Sequence, residues 1–209
     1  MSPKYNNEET NLQKSNEMAS ARQVDYFLAI PWCAAHLSAS PNLRIAQSVT
    51  REHKPEGSTL DTLISQTLNR PDAMPAYITF YSAPADPNEL VTEVKAFCAL
   101  GPMINGWEGI CHGGMVVTLL DEVMGQVFAV NKSSGLIREI PIMTGYLNTK
   151  FLKPVRTGTE EKPTVVLVTA GMVKRDGRKF WTKARVEGED GDVMATADAL
   201  FIELKEAKL

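Results

Sequence analysis

Gly109-Ile110-Cys111-His112-Gly113-Gly114-Met115-Val116-Val117-Thr118-Leu119-Leu120-Asp121-Glu122-Val123-Met124-Gly125-Gln126 is the stretch whose reading decides the fold. A His-Gly-Gly turn opens a long apolar run that holds a carboxylate pair. An exposed amphipathic helix keeps one apolar stripe, so a run this apolar all round predicts a helix inside the protein. Thr118, Asp121, Glu122 and Gln126 recur at three- and four-residue spacing, which gathers them on one side of the cylinder. The helix is expected over about 113–130, ending before Asn131-Lys132-Ser133-Ser134-Gly135.

The chain has 209 residues, enough for one good-sized domain with an extension and a real core. Its 44% hydrophobic and 22% charged fractions are those of a soluble globular protein. With a net charge of −3 there is no general basic field for a nucleic-acid backbone, and no nucleic-acid partner is expected. Cys33, Cys98 and Cys111 are odd in number and lack metal-ligand spacing, which predicts reduced thiols and no disulfide framework. His36, His53 and His112 also lack such spacing, and no metal is expected. No run is read as reaching the roughly 20 apolar residues of a membrane span. Residues 1–20 resemble neither a secretory signal nor a transit peptide, so a cytoplasmic location is expected.

Outward from the helix, residues 1–20 lack periodicity and large apolar side chains, and a disordered tail is expected there. Residues 21–75 are expected to be a helical extension. In it Val24, Tyr26, Phe27, Leu28, Ile30, Trp32 and Leu37 form one or two short helices around Pro31 that pack on the main body. Ser58 reads as the N-cap of a helix over 59–68. Residues 76–209 form the main domain. Ala76–Ser82 is a strand or a helical turn, and 90–100 a first long strand. Runs at 142–152, 163–173, 178–187 and 192–204 read as four strands, and the Asp-Gly turns between the last three make them antiparallel hairpins. The layout is α+β, a sheet wrapped around a central helix.

This order of elements resembles the hotdog-fold acyl-CoA thioesterases of the PaaI and THEM4-like kind. The matching residues are His112-Gly113-Gly114, a carboxylate nine residues after the histidine at Asp121, Met143-Thr144-Gly145-Tyr146-Leu147-Asn148-Thr149-Lys150-Phe151-Leu152-Lys153-Pro154, and Asp176-Gly177-Arg178-Lys179-Phe180. Arg51-Glu52-His53-Lys54-Pro55 looks like the fungal members of that group. The resemblance implies hydrolysis of an acyl thioester with no cofactor beyond the CoA or phosphopantetheine of the substrate itself. It implies a homodimer, with pairing into a tetramer and an acyl carrier protein as further partners. It also implies that Thr144 orients water or the carboxylate, and that cations at Lys150, Lys153, Arg156, Arg175, Arg178 and Lys179 meet the phosphates of CoA.

A thioester carbonyl gains negative oxygen character on attack, and a helix N-terminus offers unpaired N–H groups and a partial positive charge to receive it. Gly113 and Gly114 let that backbone approach closely because no Cβ intervenes. Asp121 then serves as general base or as nucleophile. Glu122, about 100° round the helix, is the alternative carboxylate. His112 is either catalytic or a structural histidine, and Cys111 reads as an inert buried thiol. Nine residues at 1.5 Å rise separate His112 from Asp121 by roughly 13 Å, too far for one carbonyl to touch both. The site is therefore expected to be shared by two subunits. The rival expectation is a non-hydrolytic hotdog protein that binds a biosynthetic intermediate or transforms it by cyclisation or elimination.

Overall fold

The computed structural model describes residues 3–46 and 48–205. Two helices come first, α1 (Pro3–Leu28) and α2 (Pro31–Leu37). They part at Pro31, which stands in the first turn of α2, where a missing N–H leaves nothing unsatisfied. Then follow β1 (Leu43–Ala46), β2 (Tyr77–Ser82), β3 (Glu93–Leu100) and a small ribbon of β4 (Asn105–Trp107) and β5 (Ile110–Cys111). The central helix α3 (Gly113–Ser133) leads to β6 (Ile142–Phe151), β7 (Thr164–Asp176), β8 (Lys179–Glu187) and β9 (Val193–Glu203). Seven strands pair antiparallel in the order β1-β2-β3-β7-β8-β9-β6, which leaves β6 at one edge.

The sheet wraps α3 as the sequence predicts. Leu119, Leu120, Val123, Met124 and Val127 of the helix are fully buried against Val94, Val166, Val168 and Phe180 of the strands. Strand β3 is buried on both faces. Val94, Ala96, Cys98 and Leu100 turn toward α3, while Phe97 and Ala99 turn outward under the N-terminal helices, the period of two that a strand imposes. Phe97 is the anchor there, with its ring 5.5 Å from Phe27, 5.0 Å from Trp32 and 5.1 Å from Phe80. A buried phenylalanine contributes about 2 kcal/mol by removal from water. The extension is therefore fastened to the outside of the sheet by its aromatic residues.

Four expectations are corrected. The polar tail expected over 1–20 is helical from Pro3; Met1 and Ser2 lie outside the described residues. A tertiary contact orders it: the Asn16 amide donates to the His53 carbonyl at 3.2 Å and accepts from the His53 N–H at 2.9 Å. The helix expected over 59–68 is a single wide turn at Leu63–Thr67. Asp61 has φ of +55°, and the buried Arg51 guanidinium takes the Ile64 and Met74 carbonyls, so the chain is bent around a cation. The extension is not only helical, since β1 joins the sheet on β2. Finally, α3 is long and apolar enough by length and composition to cross a membrane. It is instead half buried against the sheet, with a stripe of Val117, Thr118, Asp121, Gly125 and Ala129 partly open.

Candidate active site

The N-terminus of α3 is built by its own histidine. His112 is extended (φ −60°, ψ 135°), and its Nδ1 accepts the Gly114 N–H at 3.0 Å. A Cβ on Gly114 would stand 3.0 Å from that nitrogen, so the second glycine is required by the cap. The Gly113 N–H has no acceptor among the described residues. It points out of the positive end of a 21-residue helix, where an oxyanion is favoured. The Phe151 ring of β6 lies against this turn, 3.5 Å from where a Gly113 Cβ would be. Cys111 is no partner for the imidazole: its Sγ lies 3.7 Å from the His112 carbonyl, and burial pushes its thiol up to about 12.

Two turns further along α3, Asp121 Oδ1 accepts the Thr144 hydroxyl at 2.8 Å. Asp121 is partly open to solvent and Thr144 is exposed. The expected polar stripe thus divides. Asp121 turns toward β6, while Glu122 turns to the 49–51 turn, accepting from Thr50 at 2.5 Å and from Gln126 at 2.8 Å. Burial raises the Glu122 carboxyl above its ordinary value, against the lowering effect of these two donors. With its Oε1 already accepting twice beneath the N-terminal segment, Glu122 is a structural group, and Asp121 is the carboxylate left accessible.

Eight residues separate Gly113 from Asp121, roughly 12 Å along the axis. Within one chain, a single carbonyl therefore cannot touch both Gly113 and Asp121. The cations are divided in the same way. Lys150 and Lys153 lie at the C-terminal end of β6, with Lys153 paired to Asp192. Arg178 and Lys179 lie beside the other end, where Lys179 and Met143 both face Ile202 and Arg178 donates to the Glu203 carbonyl. The two pairs are about 20 Å apart along the strand. Arg175 is turned over the Phe180 ring at 5.0 Å, and Arg156 is exposed. Asn105, upstream of the histidine, accepts from Thr157. The sequence assigns no role to Phe151 and gives no sign of Thr50, because 72 residues separate it from Glu122. No three His, Cys, Asp or Glu side chains among the described residues come together to hold a metal ion.

A single apolar helix wrapped by an antiparallel sheet is opened by His112-Gly113-Gly114 and bears a carboxylate two turns on, and residues 108–195 match the model of the thioesterase superfamily. The matched region, from just before β5 to the start of β9, is similar to that superfamily. It is 29% identical over 210 residues to verlamelin biosynthesis protein B of a Lecanicillium species, covering 87% of this chain and 88% of that protein. It is 31% identical over 105 residues to the acyl-coenzyme A thioesterase THEM4 of Xenopus laevis, covering 50% of this chain and 42% of the relative. The chain thus spans less than half the length of that thioesterase. Among solved structures, the BH2602 protein of Bacillus halodurans with CoA is 28% identical, over 55% of this chain and 68% of the other, with a TM-score of 0.44.

Proposed function

We propose that the protein hydrolyses an acyl thioester, carried by CoA or by a carrier protein, to free acid and thiol at a site shared by two subunits. The observation that carries this is the arrangement on α3: an amide without an acceptor at Gly113, and a carboxylate held by Thr144 at Asp121. The Gly113 N–H receives the carbonyl oxygen as it becomes negative. Asp121 either takes a proton from the attacking water or attacks the carbonyl to give an anhydride that water then opens. In both routes the C–S bond breaks, the sulfur leaves as thiol and the acyl group leaves as acid.

The strand β6 supplies a way for two copies to meet. It is a ten-residue edge strand whose outer N–H and C=O groups have no neighbouring strand, a row that favours pairing. Residues opposite each other in an antiparallel pair share a face. Pairing two copies about Asn148 sets Leu147 opposite Thr149 of the partner subunit and brings Thr144 beside Phe151 of the partner subunit. Asp121 then faces Gly113 of the partner subunit. The same operation brings Arg178 and Lys179 toward the end that holds Lys150 and Lys153 of the partner subunit, which supports a phosphate-bearing carrier.

The test is thiol release from a panel of acyl-CoAs by the wild type and by Asp121→Asn. Turnover lost in that near-isosteric variant, with fold and dimer intact, supports hydrolysis. Verlamelin biosynthesis protein B is named for a biosynthetic role, and it is the relative spanned almost end to end. Absence of turnover with every thioester would therefore favour a protein that binds or transforms a biosynthetic intermediate without hydrolysis.

A further inference from the structure

Arg51 opens a stretch, Arg51-Glu52-His53-Lys54-Pro55, that the thioester chemistry leaves unused. Its side chain is 4% exposed, and its two terminal nitrogens donate to the carbonyls of Ile64 and Met74. The remaining donor, Nε, is buried and has no hydrogen-bond partner, and no carboxylate pairs with the guanidinium among the described residues. Burial pulls the group down from its usual range to about 10, which leaves it charged at neutral pH. Carbonyl dipoles satisfy hydrogen bonds but do not offset a full positive charge, and a buried charge without a counter-charge is costly.

Beside Arg51 a cleft of about 20 Å³ lies between α1 and the β1–β2 edge, with Ser20, Gln23, Ser48, Glu52 and Tyr77 on its walls. Roughly 10–15 Å³ holds one water-sized particle, so this cleft has room for one small ion and for nothing larger. Its polar wall is arranged to donate. The Gln23 Oε1 accepts the Tyr77 N–H at 3.0 Å, which fixes the amide and leaves its NH2 without an acceptor among the described residues. Glu52 is the one carboxylate on the wall, half-buried and outside ion-pair distance of Arg51. We infer that the cleft binds one small monovalent anion, chloride, which takes the Arg51 Nε–H and the Gln23 amide and so fastens α1 to the sheet. A water molecule would accept the same bonds but leave the charge standing, and a phosphate is too large for the space. The site stands outside the thioester chemistry and does not depend on it.

The experiment is thermal unfolding at constant ionic strength, with sodium gluconate exchanged stepwise for sodium chloride, for the wild type, Gln23→Glu and Glu52→Gln. Circular dichroism accompanies each protein. The wild-type melting temperature is expected to rise with chloride and to saturate. At ten times the dissociation constant the folding equilibrium shifts about elevenfold, which is about 3–6 °C for a chain of this size. Gln23→Glu still accepts the Tyr77 N–H but sets a fixed carboxylate where the anion would sit. In gluconate it is expected to melt no lower than the wild type, and chloride is expected to leave it unchanged. Glu52→Gln removes the negative charge from the wall and is expected to move the chloride response to lower concentration. Crystals soaked in sodium bromide are expected to show an anomalous peak in the cleft, in contact with Arg51 Nε. A wild-type response that never saturates, or one that Gln23→Glu shares, would be general salt action and would overturn the inference. An empty or water-filled cleft in the bromide crystal would overturn it as well. Loss of stability of Glu52→Gln in gluconate, with no gain in chloride response, would make Glu52 the counter-charge and equally rule the anion out.

Discussion

The hydroxyl of Thr144 donates to the carboxylate of Asp121 at 2.8 Å and so ties the edge strand to the middle of the central helix. One bond thereby couples the edge strand proposed to pair two copies to the carboxylate proposed to activate water. Thr144→Val is expected to reduce kcat about tenfold while changing KM little, whereas Thr144→Ser, which keeps the donor, retains most of it. Equal losses in both variants would mean that shape rather than the hydrogen bond matters here.

Gly113→Pro removes the proposed oxyanion donor with small risk to the fold. Proline is favoured at the first position of a helix, and the ψ of 135° at His112 suits the residue before a proline. A loss of about 10²-fold in kcat is expected. Mixing this variant with Asp121→Asn gives dimers of which half are mixed, each with one intact site. Recovery of about a quarter of wild-type activity is expected from that two-fold arithmetic. Two inactive pure proteins that stay inactive on mixing, although mass measurements show mixed dimers, would rule out a shared site.

The cap formed by His112 separates a structural imidazole from a catalytic one. Asparagine is a strong N-cap, so His112→Asn should keep both melting temperature and thiol release, while His112→Ala should lose about 1 kcal/mol of stability. A stable but inactive His112→Asn protein would give the imidazole a chemical role.

Glu122 predicts a pH dependence of stability. Burial lifts its carboxyl above the ordinary 4.5, so the folded chain holds that proton to higher pH than the unfolded chain does. Stability falls with rising pH wherever the folded state binds the extra proton. Wild-type urea midpoints are therefore expected to decline as pH rises from 4.5 through the raised value. Glu122→Gln still accepts from Thr50 and cannot ionise, so that decline should be absent. Parallel curves would assign the slope to another group.

Much of this was legible in the sequence because local chemistry and fold agree. His112-Gly113-Gly114 opens α3, and Asp176-Gly177 makes the β7–β8 turn with φ of +55° at the glycine. What was not legible depends on residues far apart in the chain. Residues 3–20 are polar and without apolar period, and their helix is held by Asn16 reaching His53. The 59–68 segment has a fair helix signal that the buried Arg51 overrides by taking the Ile64 carbonyl, together with that of Met74 beyond it. Lys150 and Lys179 look like neighbours by motif, yet antiparallel pairing puts them at opposite ends of a strand. The extra residue of β6 at Gly145, between Thr144 opposite Phe201 and Tyr146 opposite Leu200, leaves no mark in composition, because an added residue is visible only against the strand it pairs with.

The two rims of the sheet are unequal, and this bears on where the proposed assembly would stop. At the far rim β1 is four residues long, and its Arg44 side chain turns back onto the Pro41 and Leu43 carbonyls. At the near rim β6 offers ten residues. A sheet that can be extended at both sides grows into a ribbon, whereas one with a single usable side closes once a copy meets its mirror in rotation. The brevity of β1 thus disfavours growth at that rim, so that the proposed pairing through β6 would end at two copies.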